Sequence, residues 1–381
     1  MYRMIKKIII ISPAYPLRGG IAASGERLAK ELQTQGKQVI IYSYSLQYPS
    51  ILFPGTSQYS TSPPPIDLDI RTRINSIQPF NWISVGKEIA LEKPDVVICR
   101  YWLPFMAPAL GTILRYVKKN KHTKIIALAD NIIPHEKRLG DKQLSDYFIK
   151  SVDGFLVMSK SVEEQLQHFR VKKPIVYSPH PIYDIYGESV QRNAALEKLQ
   201  LSQTQRYLLF FGFIRKYKGL DLLLAAMCDE RIKKLPIKLL VAGEFYDAPA
   251  QYLAFVNENN LTDKVIFYNE FIPDDEVKYY FSASDIVVQP YRTATQSGIS
   301  QIAYHFEKPM IVTNVGGLPE IVPHGEVGYV VVGTPNEIAN AIVAFFENDE
   351  QNKFADGLRK QKQNYSWANM CEQIEVLSSI I

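Results

Sequence analysis

The chain has 381 residues, 43 Lys and Arg against 39 Asp and Glu, a net charge of +4, and 46% apolar content. That length exceeds what one hydrophobic core usually supports, so two domains of an ordinary globular protein are expected. The mild charge gives no reason to expect a nucleic-acid partner. Cys99, Cys228 and Cys371 have neither metal-ligand nor disulfide spacing, which points to a reduced, cytoplasmic setting. No run is long enough for a signal-peptide core or a transmembrane span.

Strand-like and helix-like runs alternate throughout, the pattern of α/β domains with parallel sheets. Ile8 to Ser12 reads as a strand feeding a loop that ends in Gly19 and Gly20. A helix opens near Ile21, with Gly25, Leu28, Ala29 and Leu32 as its buried stripe. A glycine pair there lets backbone approach a ligand closely. Ser57 to Pro65, with three consecutive prolines, reads as a surface loop. Asp67-Leu68-Asp69 has the spacing of a metal-binding Asp-x-Asp, but it lies in no strand-end context and is read as a chance match. Val96 to Cys99 reads as a strand followed by Arg100-Tyr101-Trp102, where packing is the favoured role for Trp102. Arg115, Lys118, Lys119, Lys121 and Lys124 form a basic cluster, either a solvated helix end or a contact for an anionic membrane surface.

In the second half, Tyr207 to Phe211 reads as a strand. It runs into Gly212-Phe213-Ile214-Arg215-Lys216-Tyr217-Lys218-Gly219, and a helix follows with Leu220, Leu223, Leu224 and Met227 on its buried face. Arg215 and Lys218 are thereby placed where backbone N–H groups and the positive end of a helix also point, an anion site. Ile286 to Val288 reads as another buried strand. After it Thr295, Gln296, Ser297 and Gly298 offer hydroxyls, an amide and open backbone N–H groups suited to phosphate oxygens. Lys308 to Val312 reads as a further strand, leading to Gly316-Gly317-Leu318-Pro319-Glu320.

Together these segments resemble retaining glycosyltransferases of the GT-B fold, the family 4-like, group 1 clan, over nearly the whole chain. The resemblance implies two Rossmann-like doubly wound domains facing across a cleft. Residues 1–185 form the acceptor-side domain and 186–362 the nucleotide-sugar domain, while 363–381 form a terminal helix packing back on the first through Trp367, Met370 and Ile374. The hinge begins at Ser178-Pro179-His180-Pro181, and Gly187 to Asn193 continues the linker. The implied reaction moves a sugar from a nucleotide-sugar donor to a glycan or lipid-linked acceptor, with retention, in cell-surface polysaccharide biosynthesis. No cofactor or metal is expected. The enzyme would be cytoplasmic, with peripheral contact at the inner membrane surface.

The resemblance assigns Arg215 and Lys218 to the charge that develops on the leaving phosphate, with Lys218 expected to be exposed and Lys216 turned to solvent. Asp130 is either an acceptor for sugar hydroxyls or a loop residue capping its own backbone; His135 and Glu136 nearby read as a structural pair. Gly19, Gly20 and Gly212 would line the donor site with Thr295, Gln296, Ser297 and Gly298. Glu244 and Glu320 are either hydroxyl acceptors or carboxylates placed near a helix start. The chain departs from the clan's pattern in three places. The usual paired glutamates fall at Ala294 and Ile302, the arginine after the strand glycine is replaced by Phe213, and a first-domain histidine is replaced at Asp130. These departures keep a rival reading open, a degenerate member that binds nucleotide or glycan without turnover as a partner subunit. An epimerase on the same fold is a minor third reading. The absence of Gly-x-Gly-x-x-Gly and phosphate-loop signatures argues against a dehydrogenase or an NTPase.

Overall fold

The computed structural model describes residues 5–49, 57–60, 63–134 and 138–381. The chain divides into two units, Met1–Pro181 with Ser366–Ile381, and Ile182–Tyr365. The crossings thus fall within four residues of the expected 185 and 362. The expected linker 187–193 belongs to the second unit. There Val190 N–H donates to Ser282 Oγ (3.1 Å) and Arg192 pairs with Asp285 (3.4 Å).

In the first unit, β1 (Lys7–Ile11), β2 (Gln38–Leu46), β3 (Asp69–Asn75), β4 (Val96–Tyr101), β5 (Lys124–Ala129), β6 (Gly154–Val157) and β7 (Ile175–Tyr177) form one sheet. Its strand order is β3-β2-β1-β4-β5-β6-β7, and every pairing is parallel. Side chains alternate along a strand, and both faces of this sheet are covered. Ile9 and Ile11 enter one core layer with Val85, Ile89, Leu110 and Leu114, while Ile8 and Ile10 enter the other with Leu28, Leu32 and Ile374. Burial on both faces explains why β1 is a continuous apolar run.

The helix Trp367–Ile380 completes that second layer through Trp367, Met370, Cys371, Ile374 and Leu377. Ser366 caps it by accepting from Asn369 N–H. Lys37 pairs with Glu375 (2.6 Å), Lys124 Nζ donates to Ser378 O (2.6 Å), and Arg27 lies over the Trp367 ring. The basic cluster is largely occupied within this unit. Arg115 donates to Gly111 O and Tyr147 O, Lys118 pairs with Asp153, and Lys119 rests over Tyr116.

In the second unit, β8 (Arg206–Phe211), β9 (Ile237–Ala242), β10 (Val265–Tyr268), β11 (Ile286–Gln289), β12 (Met310–Thr313) and β13 (Gly328–Val331) form a parallel sheet. Its order is β10-β9-β8-β11-β12-β13. Leu209 and Phe211 face one core layer, Leu208 and Phe210 the other. Each sheet reverses its strand order once, at β1/β4 and at β8/β11. In such doubly wound sheets ligands bind beyond the carboxyl ends of the strands at that reversal. Among the described residues no helix is long and apolar enough to cross a membrane.

Candidate functional site

The loops leaving β8 and β11 are fastened to each other. After a single 3₁₀ turn, Lys216–Lys218, the chain passes through Gly219 at φ 68°. A β-carbon there would stand 2.1 Å from Pro290 O, so only glycine fits both the angle and the contact. Arg292 N–H donates to Tyr217 O (2.7 Å), a second tie between the loops. Below them Gln289, fully buried at the end of β11, accepts from Ser297 Oγ (2.6 Å) and donates to Ser300 Oγ (3.0 Å). The β11 loop is therefore held from inside, and the helix Gly298–His305 starts at a fixed place over the reversal.

Lys218 projects into that junction. It is 8% exposed, which corrects the expectation of an exposed lysine. The cause is long-range: the β11 loop and its helix cover a side chain that local sequence places on a turn. A β-carbon on Gly212 would lie 3.1 Å from Lys218 Nζ and 3.2 Å from Ile299 Cδ1, so the ammonium sits beside the first turn of that helix. No side chain caps this N-terminus, and its first turn contains no acidic residue. Its leading N–H groups have no partners within the helix and carry the positive end of its dipole. Among the described residues no carboxylate pairs with Lys218, and its ammonium lies 5.7 Å from the centre of the Tyr291 ring. Burial, with a smaller contribution from the Arg215 charge, pulls its pKa down to about 7. An anion received here would meet a desolvated cation and open amides together.

The other expected residues are distributed as follows. Thr295, Ser297 and Glu244 are buried, while Gln296, Gly298 and Glu320 are half-buried. The single O–H of Ser297 goes to Gln289, so this residue serves the loop's internal structure and has only its backbone N–H to offer as a donor. Arg215 is half-buried with its guanidinium 4.8 Å from the Tyr246 ring centre, and Lys216 is exposed. Glu244 follows β9, its carbonyl accepting from Ile214 N–H (2.9 Å), and Glu320 lies in the short helix Leu318–Ile321. Ala294 and Ile302, the positions where the resemblance would place glutamates, are both buried among apolar neighbours.

In the first unit Gly19 and Gly20 open the helix Gly20–Thr34 after β1. Asp130, expected as an acceptor for sugar hydroxyls or a cap on its own loop, is one half of a buried ion pair. Its carboxylate is 8% exposed, and each oxygen accepts a 2.7 Å bond from Arg100, through Nε and Nη2. The parallel register Tyr101↔Ala129 sets the ends of β4 and β5 side by side, which brings the two residues together. Arg100 also donates to Ser24 Oγ, so one buried guanidinium ties β4, the residue after β5, and the first helix. Trp102 packs against Tyr44 and donates to Tyr48 Oη (2.7 Å), the packing role expected of it. His180 is buried close by; burial, with help from the Arg100 charge, lowers its pKa to about 4 and keeps it neutral. His135 and Glu136 lie outside the described residues. Gln289, Tyr246 and His180, the last named only as part of the hinge, carry no functional expectation from the sequence. The placement of Gln289 at the end of an apolar strand was the one signal available.

Two parallel doubly wound units, each with one reversal of strand order, define an α/β protein of the Rossmann-like type. Residues 18–183 match the family model described as Glycosyltransferase Family 4, and residues 205–348 match Glycosyl transferases group 1. The chain belongs to these glycosyltransferases and has their GT-B fold. It is 24% identical over 363 residues to N-acetyl-alpha-D-glucosaminyl L-malate synthase of Bacillus anthracis, covering 90% of this chain and 89% of that one. Among solved structures it is similar to sucrose-phosphate synthase of Thermosynechococcus elongatus (TM-score 0.75, 18% identity, 98% of each chain covered). It is also similar to Anabaena Alr3699/HepE in complex with UDP (TM-score 0.74, 14% identity, 99% of this chain and 100% of that one).

Proposed function

We propose that this glycosyltransferase takes its sugar from a nucleotide-sugar donor whose diphosphate lies against Lys218 and the N-terminus of the helix Gly298–His305. The observation that carries this reading is the desolvated Lys218 ammonium, without a carboxylate partner among the described residues, beside an uncapped helix start at the reversal of the second sheet. As the sugar C1–O bond breaks, negative charge grows on the leaving phosphate. A fixed cation and fixed amides stabilise that charge more than the ground state. Arg215 adds a second cation. The reaction retains the anomeric configuration through an oxocarbenium-like state, and the departing phosphate oxygen takes the acceptor proton, so no separate nucleophile is needed. Charge neutralisation by Lys218, Arg215 and helix amides makes the reaction independent of divalent metal. The acceptor is a glycan or a lipid-linked sugar, in cell-surface polysaccharide synthesis on the cytoplasmic side.

The relative with bound UDP supports the donor class. Binding of a panel of nucleotide sugars to EDTA-treated protein, read by thermal shift and titration, tests the reading. Selective stabilisation by one donor without metal is expected; affinity restored only by manganese would exclude metal independence. A second reading, binding without turnover, is favoured by one observation. Ala294 and Ile302 leave no carboxylate at the two positions where the clan's glutamates would stand. Donor binding with no sugar transfer to any glycan or to water, in a protein that titrates stoichiometrically, would select it.

A further inference from the structure

Parallel pairing continues past Gly212. Ile214 N–H donates to Glu244 O, and Tyr246 N–H donates to Ile214 O (3.0 Å), a single bridge Ile214↔Phe245 beyond the ends of β8 and β9. Ile214 faces the core, with Phe245 packed against the same layer. Alternation of side chains on extended backbone therefore directs Phe213, Arg215, Glu244 and Tyr246 to the other side. Two groups meet there on one ring. Phe213 lies 4.5 Å from Tyr246 between ring centres, at an interplanar angle of 35°, and the Arg215 guanidinium carbon lies 4.8 Å from the Tyr246 centre. Phe271, from the segment after β10, extends the aromatic group, 6.2 Å from Phe213.

What the ring does for Arg215 follows from what a carboxylate would do instead. A carboxylate would occupy the guanidinium's N–H fork and cancel its charge. An aromatic face attracts the cation through its quadrupole and leaves the in-plane N–H donors for an anion. Among the described residues no carboxylate pairs with Arg215. Its charge nonetheless bears on buried Lys218, so two like charges stand near each other.

We propose that Tyr246, buttressed by Phe213, is a positioning residue that holds the Arg215 guanidinium toward the anion bound at Lys218. This rests on the reading of that junction as the diphosphate site. The group bound is a diphosphate, and the ring acts on it only through Arg215.

The test is a double-mutant cycle on anion affinity, with inorganic pyrophosphate and UDP as separate probes. Wild type, Tyr246→Leu, Tyr246→Phe, Arg215→Ala and the Tyr246→Leu/Arg215→Ala pair are titrated, with folding checked by thermal denaturation. Tyr246→Leu is expected to weaken pyrophosphate roughly 3- to 30-fold, the range of a partly desolvated cation–π contact. Tyr246→Phe, which keeps the ring face, should recover most of that loss. The double variant should bind no more than about twofold worse than Arg215→Ala alone, since the ring acts through the guanidinium. Fully additive losses, or Tyr246→Phe as damaging as Tyr246→Leu, would overturn the inference. Pyrophosphate binding without UDP binding would instead sink the nucleotide-donor reading, and the cycle would still be decided on pyrophosphate. Failure of wild type to bind either probe would overturn both. Should Tyr246→Leu not fold, Phe213→Leu closes the same cycle.

Discussion

The two sheets share a strand order about their reversal points, yet they treat a buried cation in opposite ways. At the carboxyl end of β4, Arg100 is 3% exposed and its fork is met by both oxygens of Asp130. Beyond the carboxyl end of β8, Lys218 is 8% exposed and, among the described residues, meets no carboxylate. Burying a charge is costly unless a partner compensates it. The first unit supplies that partner from its own chain and so builds a rigid junction among β4, the residue after β5 and the first helix. In the second, on the function proposed above, an arriving anion would supply the compensation. One topology thus holds an internally paired cation in one unit and, among the described residues, a cation without a carboxylate in the other.

The largest effect is expected where the internal pair is broken. Asp130→Ala strands the Arg100 guanidinium without its partner, a loss of about 3–5 kcal/mol typical of a buried pair losing one member. Chemical denaturation would read it, and a loss under 1 kcal/mol would show that the pair is not what holds the junction.

Lys218→Ala comes next. Its fold should survive, and its transfer rate should fall roughly a hundredfold to a thousandfold, as for loss of a comparable electrostatic donor. Exposed Lys216→Ala removes the same formal charge and should be nearly silent. Equal losses at both positions would reduce the site to a general field effect.

The pH dependence sharpens the contrast further. The folded-state pKa of Lys218 is about 7, below the ordinary lysine value of 10.5. Between those values the unfolded chain binds more protons, so the ligand-free protein should gain stability from this group as pH rises. Anion binding needs the ammonium, so pyrophosphate affinity should fall over the same window, visible by titration at pH 6.5, 7.5 and 8.5. A flat profile would mean that Lys218 keeps its proton throughout.

The smallest effect has the opposite sign. Lys218→Met removes an uncompensated buried charge and should raise the ligand-free thermal midpoint at pH 6 by a few degrees, equivalent to about 1 kcal/mol. At pH 10, where much of the wild-type penalty has gone, the gain should shrink.

Much of the architecture was legible before any coordinates. Apolar runs such as Ile8–Ile11 and Tyr207–Phe211 became β1 and β8 within a residue or two. The stripe Leu220, Leu223, Leu224, Met227 is buried as its spacing demands. These are local signals: continuous apolarity for a strand covered on both faces, and a 3.6-residue period for a helix. The two loops of the candidate site were also visible, because turn residues after an apolar run mark the ends of strands.

What the tertiary structure alone decided is how distant segments meet. Asp130 read as a loop residue or a hydroxyl acceptor because its partner Arg100 lies 30 positions away. Only the parallel β4–β5 register brings the two side by side. Lys218 read as exposed because a lysine on a turn is normally solvated; it is buried because a loop more than seventy residues later closes over it. Tyr246 reaches Arg215 only through the bridge that prolongs β8 and β9. The physical reason is common to all three. Periodicity determines which elements form and which faces they bury, whereas the environment of a charge depends on side chains brought alongside by crossover connections, and those leave no local trace in the chain.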